Sequence, residues 1–199
     1  SSGDEYDAER FDASGCQVTV PHEVIVCYTP AGAVGQAIDW KVVVDGQVSR
    51  LPSTSVAPPS ITAVFVDGVV STAGGTPVTI AGRNFGIRDN RIDAVTYGVT
   101  GVEVEASACE VTEDDVEIVC VASPGVGAGL RWRVTVGNQM SPLSPLGAGT
   151  ISYSPPVLSA VTPALGVPTQ GGRLTISGSE FAHEYASRCV RGLLVAPLS

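Results

Sequence analysis

The string PPSITAV at residues 58–64 returns as PPVLSAV at residues 155–161, 97 residues further on, and each copy leads through a Gly-Gly turn into an apolar strand that ends at Phe85 or Phe181. A period near 100 residues is too long for a solenoid unit and fits one β-sandwich of immunoglobulin size. A second block repeats as well. Cys16 and Cys27, eleven apart, precede AIDWKVVVDGQVS ending at Ser49, while Cys109 and Cys120, also eleven apart, precede GLRWRVTVGNQMS ending at Ser141. The Cys–Trp block comes first in the chain and a Gly-Gly block comes last. The phase of the repeat therefore predicts three pieces: the latter part of a unit over residues 1–57, a whole unit over 58–154, and the opening part of a third over 155–199.

The local chemistry is that of strands and turns. Gly (23) and Pro (14) punctuate short runs of Val, Ile and Thr, and no stretch sustains a helical period. In the whole unit, strands are expected at 61–66, 77–85, 94–97, 102–105, 109–112, 116–121, 130–136 and 150–153. Side chains alternate across a strand, so Trp132, Val134 and Val136 share one face and Arg131, Arg133 and Thr135 the other. The tryptophan face is the apolar one. Trp40, Val42 and Val44 repeat the pattern, so Trp40, Trp132, Phe85 and Phe181 are the expected core aromatics.

The cysteine spacing is that of a hairpin. Pairing Cys109 with Cys120 sets Val111 against Ile118 and Glu113 against Val116, with Asp114 and Asp115 as a two-residue turn; pairing Cys16 with Cys27 sets Val18 against Ile25 and Val20 against Glu23, with Pro21 and His22 at the turn. A metal site would want about four clustered ligands, and two cysteines with isolated histidines do not supply them. Disulfides at these positions imply an oxidising compartment. Each closes a loop of about a dozen residues, worth on the order of 2 to 3 kcal/mol. Cys189 is left without a partner and is a candidate intermolecular thiol.

These residues carry a resemblance. GGTPVTIAGRNFG at residues 74–86, preceded by the Pro-Pro strand and followed by the Cys and Val-rich strands, resembles an IPT/TIG domain, the immunoglobulin-like fold of plexins, some transcription factors and many large surface proteins. The third segment is similar, with Pro163 where the family has a proline and the second unit has Asp67 nearby; Glu180 stands where the family has an asparagine, as at Asn84. The resemblance implies an all-β chain of tandem immunoglobulin-like sandwiches, cut at both ends. It implies little about function, because the fold serves unrelated roles.

Chemistry-bearing residues are sparse. His22 and His183 lie in different units, neither beside a Cys or Ser in nucleophile geometry, and the Gly-rich stretch 125–129 precedes a strand where a phosphate cradle would open a helix, so no enzyme is expected. Three acidic groups (Asp4, Glu5, Asp7, Glu9 and Asp12; Glu110, Glu113, Asp114, Asp115 and Glu117; Asp89, Asn90 and Asp93) match no defined calcium loop, so calcium is disfavoured and no cofactor is expected. A net charge of −9, with Lys41 the only lysine and Arg83, Arg88 and Arg91 scattered beside Asp89 and Asp93, argues against nucleic acid. No apolar run approaches the roughly 18 residues of a membrane span. Arg131 and Arg133, on the outer face of their strand, are candidates for a partner carboxylate or sugar, with a merely solvated face as the plainer reading.

Two Pro-rich stretches, SPLSPLGAGTISYSPP and LPSTSVAPPS, read as linkers that hold units end to end as an extended rod and as O-glycosylation sites; no N-glycosylation sequon is present. Half-sandwiches at either end would expose apolar faces and strand edges, to be completed by sequence outside the chain or by a neighbouring copy. The expectation is a structural or adhesive spacer of an extracellular or cell-surface protein, acting through contacts with other copies or neighbouring domains. Ten arginines to one lysine and strings such as PGVGAGLRWRVTVG are similar to repeats of very large algal surface proteins, including mastigoneme filaments of cilia. A ligand-binding receptor ectodomain of plexin type and an accessory carbohydrate-binding module are the alternatives; few aromatics outside the expected cores favour the spacer.

Overall fold

The computed structural model describes residues 12–50, 53–88 and 92–181, and every regular element in them is a strand. Six precede the whole unit: β1 (Ser14–Val20), β2 (Val24–Tyr28), β3 (Ile38–Asp39), β4 (Val43–Val44), β5 (Gln47–Val48) and β6 (Ser53–Thr54). The whole unit holds β7 (Ser60–Val66), β8 (Pro77–Arg83), β9 (Ala94–Gly98), β10 (Val104–Glu105), β11 (Ser107–Glu113), β12 (Glu117–Val121), β13 (Leu130–Val136), β14 (Gln139–Met140) and β15 (Thr150–Ile151). Beyond it lie β16 (Val157–Thr162) and β17 (Thr175–Ser179).

Two antiparallel sheets of the whole unit face each other as an immunoglobulin-like sandwich. One has the order β11-β12-β8-β7; the other has β10-β9-β13-β14, with β15 also on β13. β13 shows why they close. Leu130, Trp132, Val134 and Val136 are buried in alternation with half-buried Arg131, Arg133 and Thr135, and from the opposite sheet Val78, Ile80, Ile118 and Cys120 meet them. Trp132 stacks on Tyr97 of the neighbouring strand at 4.3 Å between ring centroids, and Phe85, just past β8, is fully buried with them.

The far edge of β13 is finished by an unexpected segment. Residues 141–144 run along it and donate backbone hydrogen bonds, Ser141 N to Val134 O at 2.8 Å and Ser144 N to Trp132 O at 2.9 Å. Their hydroxyls accept from the same strand, Ser141 Oγ from Val134 N at 3.0 Å and Ser144 Oγ from Trp132 N at 2.8 Å. Both serines are 1% exposed. The first half of the Ser-Pro stretch is thus an edge of the sandwich, and neither a linker nor a surface for glycans at Ser141 and Ser144. Proline suits this place because an edge residue can spare its N–H.

Both disulfides are present, Cys16–Cys27 and Cys109–Cys120, each with Cα atoms 4.1 Å apart. That spacing belongs to directly opposed residues of adjacent strands, so each bridge staples one hairpin and does not join the two sheets. The turns differ from expectation by one residue. Val20 pairs with Val24 and Glu113 with Glu117, leaving three-residue loops in which the middle residue, His22 or Asp115, takes φ of 64° or 70°. A histidine or aspartate tolerates that left-handed conformation better than a β-branched residue, which the two-residue reading overlooked.

Several pairings in the flanking segments have the register of pairings in the whole unit. β1 and β2 pair with the register of β11 and β12. Val43 pairs Val48 as Thr135 pairs Met140, and Ile38 pairs Thr54 as Leu130 pairs Ile151. Val42 N donates to Ser49 Oγ at 3.0 Å as Val134 N does to Ser141. At the other end β16 and β17 follow β7 and β8, with Val161 opposite Ile176 as Val64 is opposite Ile80. Yet Trp40 is only half-buried and Phe181 is exposed, so neither is a core aromatic. The reason is geometric: among the described residues no counterpart of β9 lies beside Trp40, and no second sheet covers Phe181.

Truncating Trp132 to alanine is expected to cost about 3 to 5 kcal/mol in thermal or denaturant unfolding. Trp40→Ala should leave the main transition unmoved, and equal effects would show that the two tryptophans are equally buried.

Candidate functional site

Positions that could do chemistry are separated. Among the described residues no three His, Cys, Asp or Glu side chains gather where a metal could sit, and His22 stands in an exposed turn. His183, Cys189, Asp89, Asn90, Arg91 and the acids at residues 4–9 lie outside the described residues. Three of the other acids serve local structure: Asp114 Oδ1 accepts from Arg88 N at 2.9 Å, Glu117 from the Thr112 hydroxyl at 2.6 Å, and Asp93 from Asn138 N at 2.8 Å.

Arg131 and Arg133 are likewise committed. Arg131 donates through Nε to Ser144 O at 2.6 Å and through Nη2 to Leu143 O at 3.2 Å; Arg133 reaches Ser141 O at 3.0 Å and Thr100 O at 3.4 Å. The guanidinium groups clamp the 141–144 segment onto β13. They are neither a free carboxylate or sugar site nor a merely solvated face.

What the structure does assemble is a pair of contacts, one at each end of the sandwich. At the first, Val34 packs on the core, Gln139 Nε2 donates to Val56 O at 2.9 Å, and Gly137 meets the backbone of Gly35 so closely that a Cβ there would lie 2.6 Å from Gly35 N. Only glycine, at φ 57°, fits that approach. A cleft of about 280 Å³ remains between them, lined by Val34, Val56, Pro59, Asn84, Asp115 and Gln139 among others.

At the opposite end the Glu180 carboxylate caps the Ser71–Thr72 turn. It accepts from Thr72 N and Thr72 Oγ1, both at 2.7 Å, and more distantly from Ser71 Oγ at 3.4 Å. The Thr72 amide is the main reason its carboxyl is held below the usual range, followed by the Thr72 hydroxyl. Glu180 and Asn84 occupy equivalent backbone positions, with φ of 60° and 61°, but Asn84 turns inward to Pro58 O at 2.9 Å. Asn84 thus bonds 26 residues back along the chain, whereas Glu180 reaches 108 residues back. The difference in residue was visible in the sequence; its consequence was not.

Glu103 was not anticipated at all. Its carboxylate collects Thr100 N and Thr100 Oγ1 at 2.8 Å each, with Gly101 N and Val102 N at 3.1 Å. Led by the Thr100 amide, these donors push its carboxyl down to about 2. No motif announces such a turn, because three of the four donors are backbone groups.

With this geometry in view, comparison with known families is informative. Residues 59–148 match the model of the IPT/TIG domain. The match runs from the start of β7 to the loop before β15, so it spans the sandwich described above. No solved structure matches the chain. IPT/TIG domains are generally non-catalytic, occur in extracellular or surface proteins, and fit a role in protein–protein interaction or adhesion.

Three measurements check these contacts. An NMR titration should place the Glu103 carboxyl near 2, and a midpoint near 4.5 would contradict the cage. Glu180 has a lowered folded value, so its contact contributes above the ordinary Glu range and is lost as pH falls through that lowered value. The Thr72 amide should therefore be protected from exchange at neutral pH, several-fold less so in Glu180→Ala; an unchanged protection factor would show the contact to be idle. Arg133→Ala, which frees two carbonyls at a partly wet edge, should cost about 1 kcal/mol of unfolding free energy.

Proposed function

We propose that this chain is a non-catalytic spacer of an extracellular or cell-surface protein, built of tandem IPT/TIG-like units and working through contacts with its neighbours. The observation that carries this reading is that both ends of the whole sandwich are used to hold another unit, through Gln139 and Gly137 at one and Ser71–Thr72 at the other. A binding module would keep loops at one end free for a ligand; a spacer uses both. Fully buried Trp132 and Tyr97 leave no grouped aromatic platform on this sandwich for a sugar. The stapled hairpins support an oxidising compartment. Calcium and other cofactors play no part in this proposal, nor does nucleic acid or insertion into a bilayer. Among the described residues no helix is long and apolar enough to cross a membrane.

Antibodies raised against residues 58–154 should label intact, non-permeabilised cells of the source, and non-reducing peptide maps of the native protein should recover Cys16 with Cys27 and Cys109 with Cys120. Label that requires permeabilisation, or free thiols at these four positions, would overturn the extracellular placement.

A further inference from the structure

The β16–β17 hairpin is fastened to the sandwich both at Val70 and at Thr72, on one turn. The first fastening is the chain's own exit. Tyr153 N donates to Gly127 O at 2.9 Å and Ser154 N to Val70 O at 2.8 Å, with Ser154 Oγ on the same carbonyl at 3.2 Å. Beyond it Pro155 and Pro156 have fixed φ, but their ψ and that of Ser154 still rotate, so this tether alone leaves the hairpin able to swing. The second fastening is the Glu180 carboxylate on Thr72 N and Thr72 Oγ1. Glu180 follows Ser179, which pairs with Val157 at the start of β16. The contact therefore closes a ring that runs from Val70 through Ser154 and the hairpin back to Thr72.

The turn that receives the carboxylate is held by the sandwich itself. Gly74 N donates to Ser71 O at 2.9 Å, Gly125 N to Thr72 O at 3.1 Å and Gly75 N to Ala122 O at 2.8 Å, while Ala73 N donates to Ser71 Oγ at 3.2 Å. A Cβ on Gly74 would lie 2.6 Å from Pro124 N, so the turn rests against that backbone with no room to retreat. Both Thr72 donors reach Glu180 Oε2 at 2.7 Å. Bonds of this kind to an ionised oxygen are roughly twice as strong as neutral ones.

Which partner this position takes follows from its chemistry. Asn84 and Glu180 share a left-handed backbone directly after β8 and β17. Asn84 carries an N–H donor and gives it to Pro58 O at 2.9 Å; the matching carbonyl beside Glu180 is that of Pro155. A carboxylate has no proton to offer a carbonyl and must find donors elsewhere. We propose that Glu180 is an orientation lock: its carboxylate on the Ser71–Thr72 turn fixes the direction in which the chain continues from the sandwich, and asparagine at the same position would leave that direction free. This deepens the spacer reading, which supplies only the use of a fixed direction. A chain that labels the cell surface while its hairpin swings would keep that reading and remove this one.

Residual dipolar couplings of the full 199-residue chain in a dilute aligned medium test the lock. Amides of β7–β15 and of β16–β17 should fit one alignment tensor. Glu180→Asn offers Pro155 O the donor that Asn84 offers Pro58 O, so the hairpin should keep its register, with Val161 still opposite Ile176. Its couplings should nevertheless shrink about two-fold or more through swinging. Thr72→Val removes one of the two short bonds from the receiving side and should give a smaller loss of the same kind; it decides the matter should the substitution at 180 unfold the hairpin. A wild-type hairpin that needs a tensor of its own overturns the proposal, as does a hairpin that follows the sandwich unchanged in Glu180→Asn or in Thr72→Val.

Discussion

Strand β13 is the member on which the sandwich depends, because three of its surfaces are used at once. Its inner face delivers Trp132 to the stack with Tyr97. One edge pairs with β9; the other is finished by β14, the Ser141–Ser144 segment and β15. Removing water from an indole is worthwhile only if the strand that carries it loses no backbone hydrogen bonds, and the buried serines answer that need with hydroxyls as well as amides. A small debt remains. Trp132 Nε1 is buried without a partner among the described residues, a desolvation cost of about 1 to 3 kcal/mol that the ring's burial must outweigh.

Among the described residues the flanks show part of the same bonding plan with no opposite sheet beside it. The hairpin of β1 and β2 keeps its disulfide and its register, and the Trp40 segment keeps its two short ladders and its serine bond. Without a β9-like neighbour, however, the stretch between the ladders is not strand, and Trp40 remains half in solvent. Local hydrogen bonding therefore survives the absence of packing, while burial does not. This separates the two contributions within one chain: register belongs to the hairpin and its turn, and the core belongs to the pair of sheets.

That division also explains what the sequence disclosed. Period-two alternation at Trp132 and the matched cysteine spacing are local signals, and strand faces and hairpin pairing followed from them directly. The third residue of each turn was missed because His22 and Asp115 take left-handed backbone that pairing arithmetic does not encode. The Ser-Pro stretch was misread since serine and proline signal a linker unless the edge they finish is known. The contacts of Glu103 and Glu180 escaped because each leads with a backbone amide, which every sequence possesses. Trp40 and Phe181 were assigned to cores from strand parity and from their match to Trp132 and Phe85, and whether a core forms around them depends on strands elsewhere.

The central claim is that one complete sandwich lies between two segments that share part of its bonding and, among the described residues, have no second sheet packed on them. Residue-resolved amide exchange, at a dilution where the chain is a single copy, tests it most directly. The account predicts that the paired amides of β8, β12 and β13 exchange only through global unfolding, while those of β1–β2 and β16–β17 exchange orders of magnitude faster through local opening. Uniform protection from β1 to β17 would contradict it.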